Sequence, residues 1–309
     1  MSKIAVIGSY AIGMTIQCEH FPIAGETVPG HGFEVKHGGK GSNQAVAVAR
    51  LGGDVLYAGC VGEDSFGDMC VSLHEQEQID PSFIKRSRTG QSTGVGLIYV
   101  SESGENEIVI DFAANNEVSK SDIDELIPHL KECRLLLMQL EISMDTVAYA
   151  AKKCKEIGID FVLNPAPFST LEPGLLEYCS YLIPNQTEAR LLLGMETDDS
   201  IEDEEVARQI LEKGAKNVIM TLGGEGALIA NESGVKRIAG QKVEVVDTTG
   251  AGDTFCAAFC VALSRDKSEQ EAVRFANAAA GLAVTKYGVI ESIPTLAEVE
   301  NFAGQLERN

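Results

Sequence analysis

Positive charge is scarce in this chain: 25 Lys and Arg stand against 46 Asp and Glu, a net charge of −21 over 309 residues. Such a chain repels polyphosphate backbones at long range, which argues against nucleic acid as a partner. A small anion can still bind where a local site, or a metal ion carried with the ligand, reverses the field. Long apolar runs are also lacking. No stretch reaches about 18 apolar residues, so no membrane span is expected. The opening "MSKIAVIGSY" lacks the apolar length of a signal peptide. The eight cysteines show no C-x-x-C and no metal-finger spacing. Free, reduced thiols in a cytoplasmic protein are expected, and Cys256 and Cys260, one helical turn apart, read as small packing residues. Tryptophan is absent and aromatics are 6%, yet hydrophobic residues reach 44%, enough for a sizeable core. Glycine, at 31 residues, is abundant and implies tight turns or close backbone approaches.

Strand and helix patterns alternate along most of the chain. "KIAVIG" reads as a buried strand, and "GSNQAVAVARLG" as a helix with Ala45, Val48, Ala49 and Gly52 on one face. "DVLYAGC", "RLLLMQLE" and "IDFVLNPAP" read as further strands. "SFGDMCVSLHEQ", "MDTVAYAAKKCKEIG", "SIEDEEVARQILEKGA" and "AGDTFCAAFCVALSR" read as helices. This grammar predicts an α/β fold, a doubly wound, mostly parallel sheet flanked by helices, over 1–11, 37–92 and 113–309. Residues 12–36 and 93–112 break the pattern, the latter with a hairpin around Ser103–Glu105. They are expected to form a small β lid.

Some pattern matches fail on context. "GQSTG" (90–94) has a β-rich run after it, where a nucleophile elbow needs a helix. "GAGDTF" has Phe255 at the third-glycine position of a dinucleotide fingerprint. "EVKHGGKGS" has Glu34 where a Walker loop needs glycine.

Three constellations survive. In "HGGKGSNQA" a bare backbone lets a ligand approach while Lys40 and Asn43 offer polar groups; a tight turn with a surface lysine is the plain alternative. In "VVDTTGAGDTF" Gly250, Ala251 and Gly252 would present successive N–H groups at a helix start, suited to an oxygen that becomes negative during reaction. Asp253 beside them would repel a resting phosphate. It makes sense as a general base that takes a proton from a hydroxyl attacking a phosphoryl group, or more plainly as an acid steadying the first helical turn. In "PNQTEAR" Asn185 and Glu188 suit a hydrated Mg²⁺ at a strand end, or a helix cap.

"GGKGSNQAVAVARLGG" and "DTTGAGDTFCAAF" resemble the two signature motifs of the ribokinase-like (PfkB) carbohydrate kinase family. "MQLE", "NPAP", "PNQTEA" and "TLGGEGA" fall between them in the family's order. The resemblance runs nearly end to end and is closest to the ribokinase branch. It implies transfer of the γ-phosphate of ATP to a hydroxyl of a small sugar, ribose first among candidates. It implies Asp253 as base, with Gly250, Ala251 and Gly252 as anion hole. Gly39, Lys40, Asn43, Glu141 and Asp253 match sugar positions. Asn185, Thr221, Gly223, Gly226, Gly252 and Asn277 match nucleotide positions, and Glu188 matches a water-mediated Mg²⁺ position. A monovalent cation, K⁺, is implied beside Asp247 and Thr249, with the rest of its loop from Val284 to Ser292. The family's lid commonly forms a homodimer interface. One departure stands out. The family's pattern after the first strand is roughly Gly-Ser-x-Asn-x-Asp, but "GSYAIGM" has Ala11 and Gly13 at the Asn and Asp positions. The expected substrate is then larger, or lacks a hydroxyl there, unless Gln17 or Tyr10 fills the gap. A non-catalytic sugar or nucleotide sensor is disfavoured by the intact Asp253 and glycine run.

Overall fold

Five residues of the first strand, β1 (Lys3–Ile7), display the layering of the whole domain. Ile4 and Val6 join one hydrophobic cluster while Ala5 and Ile7 join the other, all fully buried. A strand buried on both faces belongs inside a sheet covered by helices on each side. The computed structural model describes residues 2–306. After β1 come β2 (Ala11–Cys18), β3 (Gly30–Gly38), α1 (Lys40–Arg50), β4 (Val55–Val61), α2 (Ser65–Gln76) and β5 (Ile84–Arg86). Next are β6 (Gly94–Ser101), β7 (Asn106–Asp111), α3 (Lys120–Leu130), β8 (Cys133–Met138), α4 (Met144–Ile157), β9 (Asp160–Leu163), β10 (Tyr181–Leu182) and α5 (Gln186–Leu192). The last elements are α6 (Asp203–Glu212), β11 (Val218–Thr221), β12 (Gly226–Asn231), β13 (Gly234–Ala239), α7 (Ala251–Ser264), α8 (Glu269–Ala283) and α9 (Leu296–Leu306).

The large sheet runs β13-β12-β11-β10-β9-β8-β1-β4-β5. Neighbours from β11 to β5 pair in parallel, and β12 and β13 add an antiparallel edge. Helices α1, α2, α7, α8 and α9 contribute to one core and α3 to α6 to the other. The chain leaves β1 for β4 on one side and later returns to β8 on the other. That reversal opens a crevice at the carboxyl ends of the strands, the usual ligand position in such sheets.

The small sheet runs β3-β2-β6-β7: two antiparallel pairs joined by a parallel β2–β6 contact. Strands β6 and β7 lie within the expected 93–112, while β2 and β3 run slightly past 12–36, to Ala11 and Gly38. Ala11 pairs with Gly38 and Gly94, and the Asn115 side chain brackets the Tyr10 backbone with two bonds of 2.9 Å, accepting from its N–H and donating to its carbonyl. Near the crevice, the Tyr287 hydroxyl donates to Glu34 on β3 at 3.1 Å. All eight cysteines are free and buried. No helix among the described residues is long and apolar enough to cross a membrane.

Candidate active site

The turn into α1 needs glycine. Gly39 has φ 88°, and a Cβ there would lie 2.6 Å from the Tyr10 Cα. The helix is then buried on every side from Gly41 to Val48, not along the single face that Ala45, Val48, Ala49 and Gly52 implied. It is packed against both the sheet and α7. Its polar residues therefore point at protein. Asn43 Nδ2 donates to Asp253 Oδ2 at 2.9 Å, and Gln44 Nε2 donates to Asp253 Oδ1 at 3.0 Å.

Asp253 lies in the first turn of α7, only 5% exposed. The cap residue Gly250 has φ 75°, and a Cβ there would meet Val289 at 2.7 Å. The expected run of three free N–H groups is corrected in one place: Ala251 N–H is spent on the Thr248 carbonyl at 3.2 Å. The turn itself consumes that donor. Gly250 and Gly252 N–H have no protein acceptor among the described residues, so the helix start still presents positive ends to the crevice.

Glu141 follows β8. Its Oε2 accepts from the Ser9 hydroxyl and from Lys40 N–H, the latter at 2.8 Å. Burial raises the Glu141 pKa, against the pull of these donors. The Lys40 ammonium is held more firmly protonated, first by the charge of Asp253 and also by Glu141 and Glu188. At the end of β10, Asn185 and Glu188 form a reciprocal capping box on α5. Burial raises the Glu188 pKa as well.

Two cavities meet at the start of α7. The smaller, about 210 Å³, is lined by Lys40, Asn164, Asn185, Glu188, Asp253 and neighbours. The larger, about 550 Å³, contains Gly223, Gly226, Val245, Phe255, Asn277 and Val284 in its lining. Thr221, Thr248 and Gly252 border both. One carboxylate, that of Asp253, thus faces the smaller cavity, and Gly252 next to it joins the smaller cavity to the larger. Gly39 and Glu141 line neither cavity: Gly39 precedes Lys40 in the chain, and Glu141 accepts from the Lys40 N–H. Of the residues expected near the nucleotide, Thr221, Gly223, Gly226, Gly252 and Asn277 border the larger cavity and Asn185 the smaller.

Asp247, Thr249 and Val284 meet in one loop contact. Asp247 accepts from Thr249 N–H at 2.9 Å and Gly288 N–H at 3.1 Å, and Val284 O accepts from Val246 and Asp247 N–H. Ser292 turns its hydroxyl onto the Val289 carbonyl at 2.8 Å. The gap at Ala11 and Gly13 is not filled by either expected side chain. The Tyr10 hydroxyl is hydrogen-bonded with His37 Nδ1 at 2.8 Å, and Gln17 lies far along β2, beside His31 and Gly32. A Cβ at Gly13 would meet Ile98 and the Lys36 carbonyl at ordinary contact distance, so a side chain could begin there without a clash.

Three residues of this site went unremarked in the sequence: Ser9, Gln44 and Gln139. Gln139 Nε2 donates to Gln44 Oε1. Gln44 follows Asn43 directly and Gln139 sits in "MQLE", so their positions in the motifs were the available signal.

The model of the pfkB family carbohydrate kinases matches residues 1–296. The chain belongs to that family. It is a ribokinase-like sugar kinase, a phosphotransferase with an alcohol group as acceptor. A ribokinase of Haemophilus influenzae is 38% identical over 97% of each chain. A deoxyribokinase of Salmonella typhi is 34% identical over 97% of this chain and 98% of its own. The structure of Arabidopsis thaliana ribokinase complexed with ribose and ATP superposes with a TM-score of 0.89 at 29% identity, covering 97% of this kinase and 98% of that chain.

Proposed function

We propose that this kinase transfers the γ-phosphate of ATP to a small sugar, with Asp253 as general base. The observation that supports it most is the place of Asp253 on the wall of the small polar cavity, next to Gly252, which borders both that cavity and the large one, with the N–H groups of Gly250 and Gly252 open. In this reading Asp253 accepts the hydroxyl proton. The hydroxyl oxygen bonds to the γ-phosphorus as the bond from that phosphorus to the β-bridging oxygen breaks, and ADP leaves with the electron pair. Gly250 and Gly252 receive charge on the transferring group. Gly39, Lys40, Asn43 and Glu141 hold the sugar. Thr221, Gly223, Gly226 and Asn277 surround the nucleotide.

The described residues contain no cluster of three metal-ligating side chains. Glu188 and Asn185, oxygen ligands on the wall of the smaller cavity, fit a hydrated Mg²⁺ carried by the nucleotide and held through water. Its contribution when bound is to neutralise phosphate charge. The Asp247–Thr249–Val284 contact is a position for K⁺. The small sheet, with Phe33, Val109 and Ile110 exposed, acts as a lid and a dimer contact.

Ribose is the first choice of sugar. The lack of a polar side chain at Ala11 and Gly13 favours a second reading, a sugar, deoxysugar, polyol or nucleoside without a hydroxyl to be held there, or with more bulk. An ADP-release panel of ribose, 2-deoxyribose, ketohexoses, nucleosides and polyols decides between them. A clear preference for ribose removes the second reading, and no turnover with any of them sinks the first. The panel repeated in K⁺ and in choline tests the cation, and light scattering tests the dimer; equal rates or a monomer would sink those two.

A further inference from the structure

An acid at the third position of a helix ordinarily turns back onto the N–H of its own cap residue. Asp122, Glu271 and Glu298 do so, accepting from Ser119, Ser268 and Thr295 N–H at 2.8, 2.9 and 2.7 Å. Asp253 holds the third position of α7 and accepts no such bond among the described residues. Its cap residue is a glycine, with no side chain to reciprocate. Its carboxylate instead reaches across to α1, where Asn43 and Gln44 each hold one oxygen.

The two tethers differ in stiffness. Asn43 Oδ1 is buried without a partner, so nothing at that oxygen resists rotation of the amide. Gln44 is fully buried and its amide is fixed from two sides. Its oxygen accepts from Gln139. Its nitrogen also donates to Asn164 Oδ1 at 3.2 Å, and Asn164 is itself oriented by donating to the Ile183 carbonyl at 3.0 Å. Turning the Gln44 amide over would set oxygen against oxygen at both Asp253 and Asn164. The donor that Asp122, Glu271 and Glu298 take is the N–H of their cap residue; for Asp253 that group is the Gly250 N–H, which has no acceptor among the described residues.

We propose that Gln44, oriented by Gln139 and Asn164, is a positioning residue that keeps the Asp253 carboxylate off its own helix terminus. The Gly250 and Gly252 N–H groups then stay open to a phosphoryl oxygen, and the carboxylate stays turned to the substrate. This rests on the reading of Asp253 as base given above.

Gln44→Met preserves side-chain length and removes the amide. With ribose and ATP, kcat is expected to fall roughly 10- to 100-fold while both KM values stay within about threefold. A general loosening of the fold would not produce that split. Gln139→Met leaves Gln44 held by Asn164 alone, and a loss of kcat of roughly 2- to 5-fold is expected, with no further loss when it is added to Gln44→Met. Normal kcat in Gln44→Met, or a loss confined to KM, overturns the proposal. If Gln44→Met does not fold, Gln139→Met decides, and wild-type kcat there overturns it. Asp253→Asn separates the two layers of the argument. Turnover retained in that variant removes the base assignment and this proposal with it. An inactive Asp253→Asn beside a normal Gln44→Met removes the positioning role alone.

Discussion

The N-termini of α5 and α7 border the same cavity, and each carries an acid at the third helical position. They treat it in opposite ways. At α5 cap and acid satisfy each other: Asn185 Oδ1 accepts from Glu188 N–H at 2.8 Å, and Glu188 accepts from Asn185 N–H at 2.9 Å. At α7 the cap is a glycine, and the acid is held by residues 210 and 209 positions earlier in the chain. A helix end that closes on itself is locally stable. An end kept open depends on distant residues, and the donors it leaves free are available to a ligand. Local sequence can account for the first and not for the second.

The sharpest way to break this contrast is Asp253→Asn. Turnover should fall roughly 10²- to 10⁴-fold with little change in the KM for ATP, measured by ADP release. Near-normal activity would make the two helix ends equivalent. Glu188→Ala should act on both sides of the comparison. The KM for MgATP is expected to rise roughly tenfold, about the worth of one charged hydrogen bond, and unfolding in urea should show a loss of about 1 kcal/mol from the broken box. A stability loss without the KM change would return α5 to a purely structural role.

Glu141 extends the test to pH. In the proposed reading it accepts from the sugar as a carboxylate, and burial raises its pKa. Sugar KM should therefore begin to climb on acidification at a higher pH than an ordinary glutamate, near 4.3, would allow. Glu141→Gln should flatten that climb; an unchanged profile in the variant would assign it to another group. The smallest effect is the control. Ser268→Ala breaks a capping box far from the cavities and should cost about 1 kcal/mol with kinetics unchanged.

The strand, glycine turn and helix of "VVDTTGAGDTF" were legible because each depends on neighbours in sequence. So was the alternation that builds the large sheet. What escaped depends on contacts. Gln44 looks like any helical glutamine until α1 is laid against α7 and β8. The Ala251 N–H looks free until the turn folds and gives it to Thr248. Three elements were not anticipated: α3, β13 and α9. Pro128 inside α3 disguises a helix. β13 is an edge strand whose adjacent charges, Lys236 and Arg237, hide its alternation. The α9 pattern is acidic and lies beyond the last motif. The missing carboxylate at Gly13 was legible, but that neither Tyr10 nor Gln17 takes its place required the register of β2.

The buried thiols carry a practical consequence. All eight cysteines are shielded from solvent, so the folded chain is a quiet background for thiol-directed dyes and spin labels. A single cysteine introduced at Ser103, in the exposed turn between β6 and β7, would be the preferred point of attachment. Its signal would report the mobility and surroundings of the tip of the small sheet, and how they change when sugar and nucleotide are added, with no native residue to remove first.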